Sequence, residues 1–163
     1  MPPMLIEARK PAYLDPRPRS FAALMDLYEA NYIRLRQLSP ELRSQRGALV
    51  SRVAGAMDLY LEVIESCPYT TTLILTYHFE GDEGRHRRKS PNLHLRVYHD
   101  ARQVEVMGCA CRRSGEEVSL GDHPDWQALE HRWRFNRFLY KWLGYCLHQG
   151  HRFEGAGAAA KNS

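Results

Sequence analysis

Long hydrophobic runs and cysteines are scarce in this chain of 163 residues. No stretch approaches the roughly 20 apolar residues that a membrane-spanning helix needs, and the proline-rich N-terminus lacks the apolar segment of a signal peptide. The four cysteines are too few and too scattered for a disulfide framework. These features predict a cytoplasmic protein with free thiols and no membrane contact.

Motifs that bind nucleotides, bind zinc or activate a serine are also missing. The chain contains no G-x-G-x-x-G, Walker loop, H-E-x-x-H or G-x-S-x-G. Cys109 and Cys111 could add only His94 as a third ligand, and their spacing differs from that of zinc sites. Cys67 precedes Pro68 with no basic residue close by, so it is a weak candidate nucleophile. We therefore expect no metal and no cofactor.

The composition that remains is typical of a globular protein. Hydrophobic residues make up 44% of the chain and charged residues 26%, with a net charge of +4. A chain of this length buries roughly 70% of its unfolded surface, enough for one core. Residues 1–19 and 151–163 lack periodic apolar positions. We expect a disordered proline-rich arm and a disordered tail around one domain at 20–150.

Helical periodicity marks both ends of this domain. Ser20 is a plausible N-cap for an amphipathic helix that runs to about Leu38, and a second helix of about 26 residues is expected to end at Gly150. Between them, strand-like patterns cover residues 48–54, 57–66, 71–80, 92–100 and 103–111. The predicted class is α+β: a five-stranded antiparallel meander sheet with an N-terminal helix and a long C-terminal helix on one face, and with the other face open.

The long helix carries a second apolar stripe in its C-terminal half. Trp142 and Tyr145 belong to this stripe, although one apolar face is enough for a surface helix. We expect these two side chains to pack on something other than the sheet, either the first helix or a second copy in a homodimer. Arg134, Arg137 and Lys141 form a basic stripe, which is most simply the solvated side of the helix.

Four polar side chains interrupt or end apolar rows. Strand alternation places Glu65 and His99 on the face that the helices cover, and helical spacing aligns Asn31 and Asn136 with apolar positions. Burying such groups unpaired costs several kcal/mol. A satisfied structural network is the favoured interpretation. The alternatives are exposure at strand ends, or a ligand or catalytic site in which Glu65 and His99 exchange a proton.

The opposite sheet face is expected to mix aromatic, charged and sulfur groups. With the simplest hairpin turn, Tyr98 lies opposite Glu105 and His94 lies opposite Cys109. Such a surface suits recognition, and a solvated face with cross-strand pairs fits equally well. The candidate ligand-binding residues are Asn31, Glu65, Tyr69, Arg96, Tyr98, His99 and Asn136, and the catalytic candidates among them are Glu65 and His99.

Four strings carry a family resemblance. They are ESCPYTT at 65–71, RVYHDA at 96–101, NRFL at 136–139 and WLGYCL at 142–147. Together they resemble the YqiB-like family of uncharacterised bacterial proteins, a domain of unknown function, over roughly residues 20–150. The resemblance implies a cytoplasmic bacterial protein without an assigned activity. The N-terminal arm and the basic loop from Arg85 to Lys89 depart from the family pattern.

These features favour a non-enzymatic regulatory or adaptor domain that binds itself or another protein. The alternative is a small-molecule-binding protein or an enzyme that uses the cluster of Asn31, Glu65, His99 and Asn136. A third possibility is nucleic-acid binding through the 85–89 loop. It is less favoured, because a charge run in a hairpin loop is usually a solvated tip.

Overall fold

The computed structural model describes residues 20–78, 92–109, 118–119 and 125–154. In chain order the elements are α1 (Phe21–Leu38), β1 (Ala48–Ser51), β2 (Asp58–Ser66), β3 (Thr70–His78), β4 (Asn92–Tyr98), β5 (Gln103–Cys109), β6 (Val118–Ser119) and α2 (Asp125–Gln149). The strands form one antiparallel sheet in the order β1-β2-β3-β4-β5-β6. The predicted α+β class and meander are confirmed, and the two-residue β6 is added at the edge.

Local sequence signals explain where the helices begin and end. The Ser20 hydroxyl accepts a hydrogen bond from the Ala23 N–H at 3.1 Å and so caps α1. Gly150 follows α2 with a φ of 93°, a conformation that glycine adopts without strain. In the described ranges, neither helix is both long and apolar enough to cross a membrane.

The core lies between the two helices and one face of the sheet. Alternate positions of β2, β3 and β4 supply its central layer, which consists of Leu59, Leu61, Leu73, Leu75, Leu93 and Leu95. Leu35 and Leu38 of α1, with Leu139 and Leu143 of α2, cover these leucines. The intervening strand positions lie on the opposite face, because successive strand side chains alternate. That face is the less buried one: most of its side chains are half-buried, although Thr76 is buried and Gln103 at the β5 edge contacts Met25 of α1. We call it the open face.

Trp142 packs on the sheet, so the prediction that it packs elsewhere is wrong. Its ring meets Tyr77 of β3 edge to face, with centroids 5.3 Å apart. The Tyr77 hydroxyl also lies 3.1 Å from Cys146 Sγ, and burial raises the pKa of the Cys146 thiol to about 11. Trp142 thus belongs to the core of a single chain, whereas Tyr145 stays exposed.

Arg34 of α1 packs over Gly144 of α2 where the two helices meet. Arg34 of α1 donates to the backbone oxygen of Tyr140 at 2.6 Å, and its guanidinium lies 3.5 Å from the centre of the Tyr140 ring. The same guanidinium occupies the space that a Cβ would need at Gly144. The absence of a side chain at residue 144 therefore permits this cation–π contact.

The folded unit continues beyond the predicted end at residue 150. His151 and Phe153 are both buried, and the Phe153 N–H donates to the Leu38 oxygen at 2.7 Å. His151 Nδ1 lies 2.9 Å from the Ser51 hydroxyl. The predicted start of a disordered tail at residue 151 is therefore too early. Residues 151–154 are too few to show an apolar period, so the sequence pattern does not predict that they are folded.

We expect Phe153→Ala to lower the free energy of unfolding by about 3–5 kcal/mol, because it empties a fully enclosed ring site. The melting temperature, followed by circular dichroism, should fall by roughly 6–20 °C. Phe21→Ala is the control, since Phe21 is 65% exposed, and it should change stability by less than about 0.5 kcal/mol. A chain that ends at residue 150 should likewise have a lower melting temperature than a chain that ends at residue 154. Wild-type melting of Phe153→Ala would exclude this residue from the core.

Candidate functional site

A β-bulge in β2 moves Glu65 to the open face of the sheet. Ile64 is an extra residue in the pairing of β2 with β3, so Glu65 pairs with Thr72 instead of Thr71. Because side chains alternate along a strand, this one insertion turns Glu65 away from the helices, and it is exposed. The prediction that Glu65 is buried and shares a site with His99 is therefore wrong.

His99 lies where the alternation predicted, beneath the helical layer at the end of β4. It is 6% exposed, and its Nε2 lies 2.8 Å from the Thr71 hydroxyl. Its backbone N–H donates to the Tyr69 oxygen at 2.9 Å, which joins the β4–β5 turn to the β2–β3 turn. Burial, followed by the positive charges of Arg43 and Arg36, lowers the pKa of His99 below 6.5. The imidazole is consequently neutral at neutral pH.

Asn31 and Asn136 converge, and most of their polar atoms complete backbone hydrogen bonds. The Asn136 side-chain oxygen accepts from the Val106 N–H of β5 at 3.0 Å, and its amide nitrogen donates to the Arg132 oxygen at 2.8 Å. Asn31 donates to the Asn136 backbone oxygen at 3.1 Å. Both side chains are fully buried. This arrangement joins α1, α2 and β5, as a structural network would.

Two buried hydroxyl–imidazole pairs have the spacing of a nucleophile and its base. One joins Thr71 and His99 at 2.8 Å, and the other joins Ser51 and His151 at 2.9 Å. All four side chains are buried, so no substrate can reach either hydroxyl in this structure. The Ser51 oxygen also accepts the Arg152 N–H at 3.1 Å. In this state both pairs hold strand ends in place.

The hairpin between β4 and β5 adopts a different register from the predicted one. Its turn spans the four residues 99–102 instead of two, and a second bulge interrupts β5 farther along. The expected pairs Tyr98–Glu105 and His94–Cys109 are replaced by Tyr98–Gln103 and His94–Gly108. The register prediction is wrong because it assumed the shortest turn and an uninterrupted strand.

A row of three charged residues and one threonine nevertheless crosses the open face. Arg96 pairs directly with Glu105 on one side and with Thr72 on the other, and Thr72 pairs with Glu65. The Tyr98 hydroxyl donates to the Glu105 carboxylate at 2.5 Å. Partial burial, and then this bond to Glu105, raises the pKa of Tyr98. We call Glu65, Thr72, Arg96 and Glu105 the open-face row.

Two large apolar side chains are exposed at the same end of the sheet. Ile64, the bulge residue, is 54% exposed, and Tyr69 in the following turn is 63% exposed. The exposed thiol of Cys67 in that turn donates to Glu65 at 3.6 Å. The turn-end surface, as we define it, comprises Ile64, Glu65, Tyr69, Arg96 and Tyr98. It gathers four of the predicted site residues, whereas Asn31, His99 and Asn136 lie inside.

Two predicted features lie wholly or partly outside the described residues. Cys111 and the side chain of Cys109 are outside, as is the basic loop from Arg85 to Lys89. Within the part of the chain that the structure describes, no group of three histidine, cysteine or acidic side chains could hold a metal ion. The prediction of no metal at the Cys109 hairpin stays a prediction.

One surface was missed by sequence reasoning. A cavity of about 300 Å³ lies on the outer side of α2 and is lined by Glu130, Trp133, Arg134, Arg137, Phe138 and Lys141. We call these residues the α2 strip. The basic residues were interpreted as a solvated face. The signal that could have identified the strip is the alternation of cationic and aromatic residues at spacings of three and four.

Together, the single-sided meander sheet and its two covering helices define a small α+β domain. A family model described as a protein of unknown function (DUF1249) matches residues 34–152, and the chain belongs to this family. It is similar to the uncharacterized protein YqiB of Escherichia coli strain K12 and of Escherichia coli O157:H7. Each is 29% identical over 132 residues, which cover 80% of this chain and 90% of the relative. The predicted resemblance is confirmed. No solved structure matches the chain significantly.

We expect the protein to lose stability as the pH falls from about 7 to 5. Burial lowers the folded-state pKa of both His99 and His151 below the unfolded value of 6.5. The unfolded chain therefore binds more protons in this range, so acid favours unfolding. This contribution is fully present above about pH 6.5 and is lost as the pH falls through the folded pKa values.

Urea midpoints at pH 7.5, 6.5 and 5.5 test this expectation. The double variant His99→Gln, His151→Gln should show a flatter profile than the wild type, even if it is less stable throughout. His148→Gln alters an exposed imidazole in α2 and serves as the control. An equally steep profile in the double variant would contradict the assignment.

Proposed function

We propose that this protein is a non-enzymatic adaptor or regulatory domain that binds another protein through the turn-end surface. The observation that carries the proposal is the exposure of Ile64 and Tyr69 beside the open-face row. Single exposed apolar residues are common on proteins. Here a tyrosine, a β-branched side chain and an arginine occur together at one end of the sheet. Tyrosine and arginine are enriched among the residues that dominate binding energy at interfaces.

The buried polar groups support binding in preference to catalysis. Glu65 and His99 lie on opposite faces of the sheet, so they cannot form the proton-transferring pair considered from the sequence. Thr71 and Ser51 are enclosed with their imidazoles. An enzyme or a small-molecule-binding protein built on this cluster would have to open its core to admit a ligand. That alternative predicts a ligand effect that depends on His99.

The charges indicate what the partner should present. In the sheet register Glu105 pairs with Arg96 on one side, and Glu65 lies on the other side of Arg96 beyond Thr72. A complementary partner carries an apolar residue that covers Tyr69, with a basic group for Glu65. Such paired charges contribute more to specificity and association rate than to affinity.

Residence in the cytoplasm is part of the same proposal. Cys67 is an exposed free thiol and Cys146 is a buried one, and free thiols are typical of reducing compartments. A second copy of the chain is the other partner considered. It would meet α2 at the exposed ring of Tyr145, since Trp142 is already buried.

Photocrosslinking in bacterial cells tests the turn-end surface. We expect p-benzoylphenylalanine at position 69 or 64 to capture the same protein. The same amino acid at position 21 is a matched control, because Phe21 and Tyr69 are 65% and 63% exposed, and it should not capture that protein. With the purified partner, Tyr69→Ala should weaken binding at least about 30-fold, the threshold of an interface hot spot.

Three results would overturn the proposal. Equal capture from positions 21, 64 and 69, or no capture at any of them, would exclude the turn-end surface as a protein-binding site. A metabolite that raises the melting temperature of the wild type and of Tyr69→Ala, but not of His99→Gln, would favour the small-molecule alternative. Light scattering of the purified chain reports separately on self-association.

A further inference from the structure

The α2 strip places three cations along one side of a helix. Arg134, Arg137 and Lys141 follow one another at spacings of three and four residues, which correspond to about 4.5 and 6 Å along the axis. All three are exposed and line the cavity of about 300 Å³. One carboxylate, Glu130, shares the cavity, so the four charged side chains carry three positive charges and one negative charge. The strip is therefore a cationic surface.

These cations lack partners among the described residues. The ion pairs there join Arg52 to Asp58 and Arg152 to Glu154, and the side chains of Arg134, Arg137 and Lys141 have no hydrogen bond or ion pair in the described part of the chain. An ordinary solvated helix face often pairs such charges at i, i+4. Here Glu130 has that spacing to Arg134 alone, and an excess of positive charge is left for an anionic ligand.

Aromatic rings flank the row of cations on the helix. Trp133 and Phe138 line the same cavity, and Phe138 is 45% exposed. The Phe138 ring lies 6.2 Å from the buried ring of Trp142, tilted by 34°. Trp142 in turn packs edge to face on Tyr77 of the sheet. The core thus supports Phe138 from below and leaves part of its ring accessible.

We propose that the α2 strip binds a single-stranded polynucleotide. Phosphates of the strand meet Arg134, Arg137 and Lys141, and unpaired bases stack on Trp133 and Phe138. This combination of a cationic track and aromatic rings is how proteins bind single strands without sequence preference. An acidic peptide would satisfy the cations but leave the ring faces unused. A duplex would hide its base faces in its own stack.

This inference is independent of the proposed protein-binding function. The strip belongs to α2, whereas the turn-end surface lies on β2, β4 and the intervening turns. It also differs from the loop between Arg85 and Lys89 that the sequence suggested for nucleic acid. A negative binding result at one surface does not affect the proposal for the other, because the two surfaces share no residue.

Fluorescence anisotropy with labelled oligonucleotides tests the inference on the full chain. We expect single-stranded DNA and RNA of mixed sequence to bind, with an affinity that falls with salt at a logarithmic slope near −2, since three contacts contribute about −0.7 each. Arg137→Ala should reduce the size of that slope by about 0.7. Phe138→Leu keeps an apolar side chain over Trp142 and should weaken binding about 5- to 150-fold through lost stacking.

Arg36→Ala is the matched control, because it removes the same charge from an exposed helical position near His99. It should retain nearly full affinity, and circular dichroism should show all variants folded. The DNA and RNA strands distinguish a deoxyribose from a ribose preference.

Several outcomes would overturn the inference. They are no binding at low salt, binding that neither Arg137→Ala nor Phe138→Leu weakens, equal affinity for duplex DNA, and equal competition by poly-glutamate of matched charge. The last would assign the strip to an acidic protein segment. A stable dimer that Phe138→Glu dissociates, detected by light scattering, would assign it to a second copy of the chain.

Discussion

Leucine side chains from alternate positions of three strands are buried beneath α1 and α2. The remaining features of the structure depend on this burial of one sheet face. Each buried leucine contributes about 1.5–3 kcal/mol, so this layer is a substantial part of the favourable free energy of folding. Polar side chains on the covered side then need internal partners, and Asn136 and the two imidazole–hydroxyl pairs have them. On the other side most strand residues are only half-buried, so part of that face stays available to a partner.

The internal pairing explains why structural and functional residues look alike in a sequence. Strand β5 lies near the sheet edge, and its Val106 N–H would be a buried donor without an acceptor. Leaving it unpaired would cost about 1–3 kcal/mol. Asn136 supplies that acceptor from α2. A polar residue on an apolar helix face is therefore predictable from spacing, but its partner is backbone, which carries no sequence signal.

Fold and burial could be predicted as far as alternation holds without interruption. The α1 helix and the strand order followed from capping, period and short turns, and His99 lies on the predicted face because β4 has no inserted residue. Glu65 follows the β-bulge at Ile64. The sequence pattern does not predict this bulge, because isoleucine is an ordinary strand residue. One bulge reverses the face of every residue after it. The same limit applies to the β4–β5 hairpin, whose turn is longer than the simplest one.

The one-sided core also sets the character of the two proposed surfaces. The open sheet face carries carboxylates on both sides of Arg96, whereas the outer side of α2 presents three cations. The two surfaces therefore attract ligands of different charge and do not compete for one. The α2 strip is supported by the core, because Phe138 contacts Trp142 and Trp142 packs on Tyr77 of β3. Since these contacts are already made in the free protein, a ligand on α2 need not order the helix in order to bind. Less of its interaction free energy is then lost to conformational entropy.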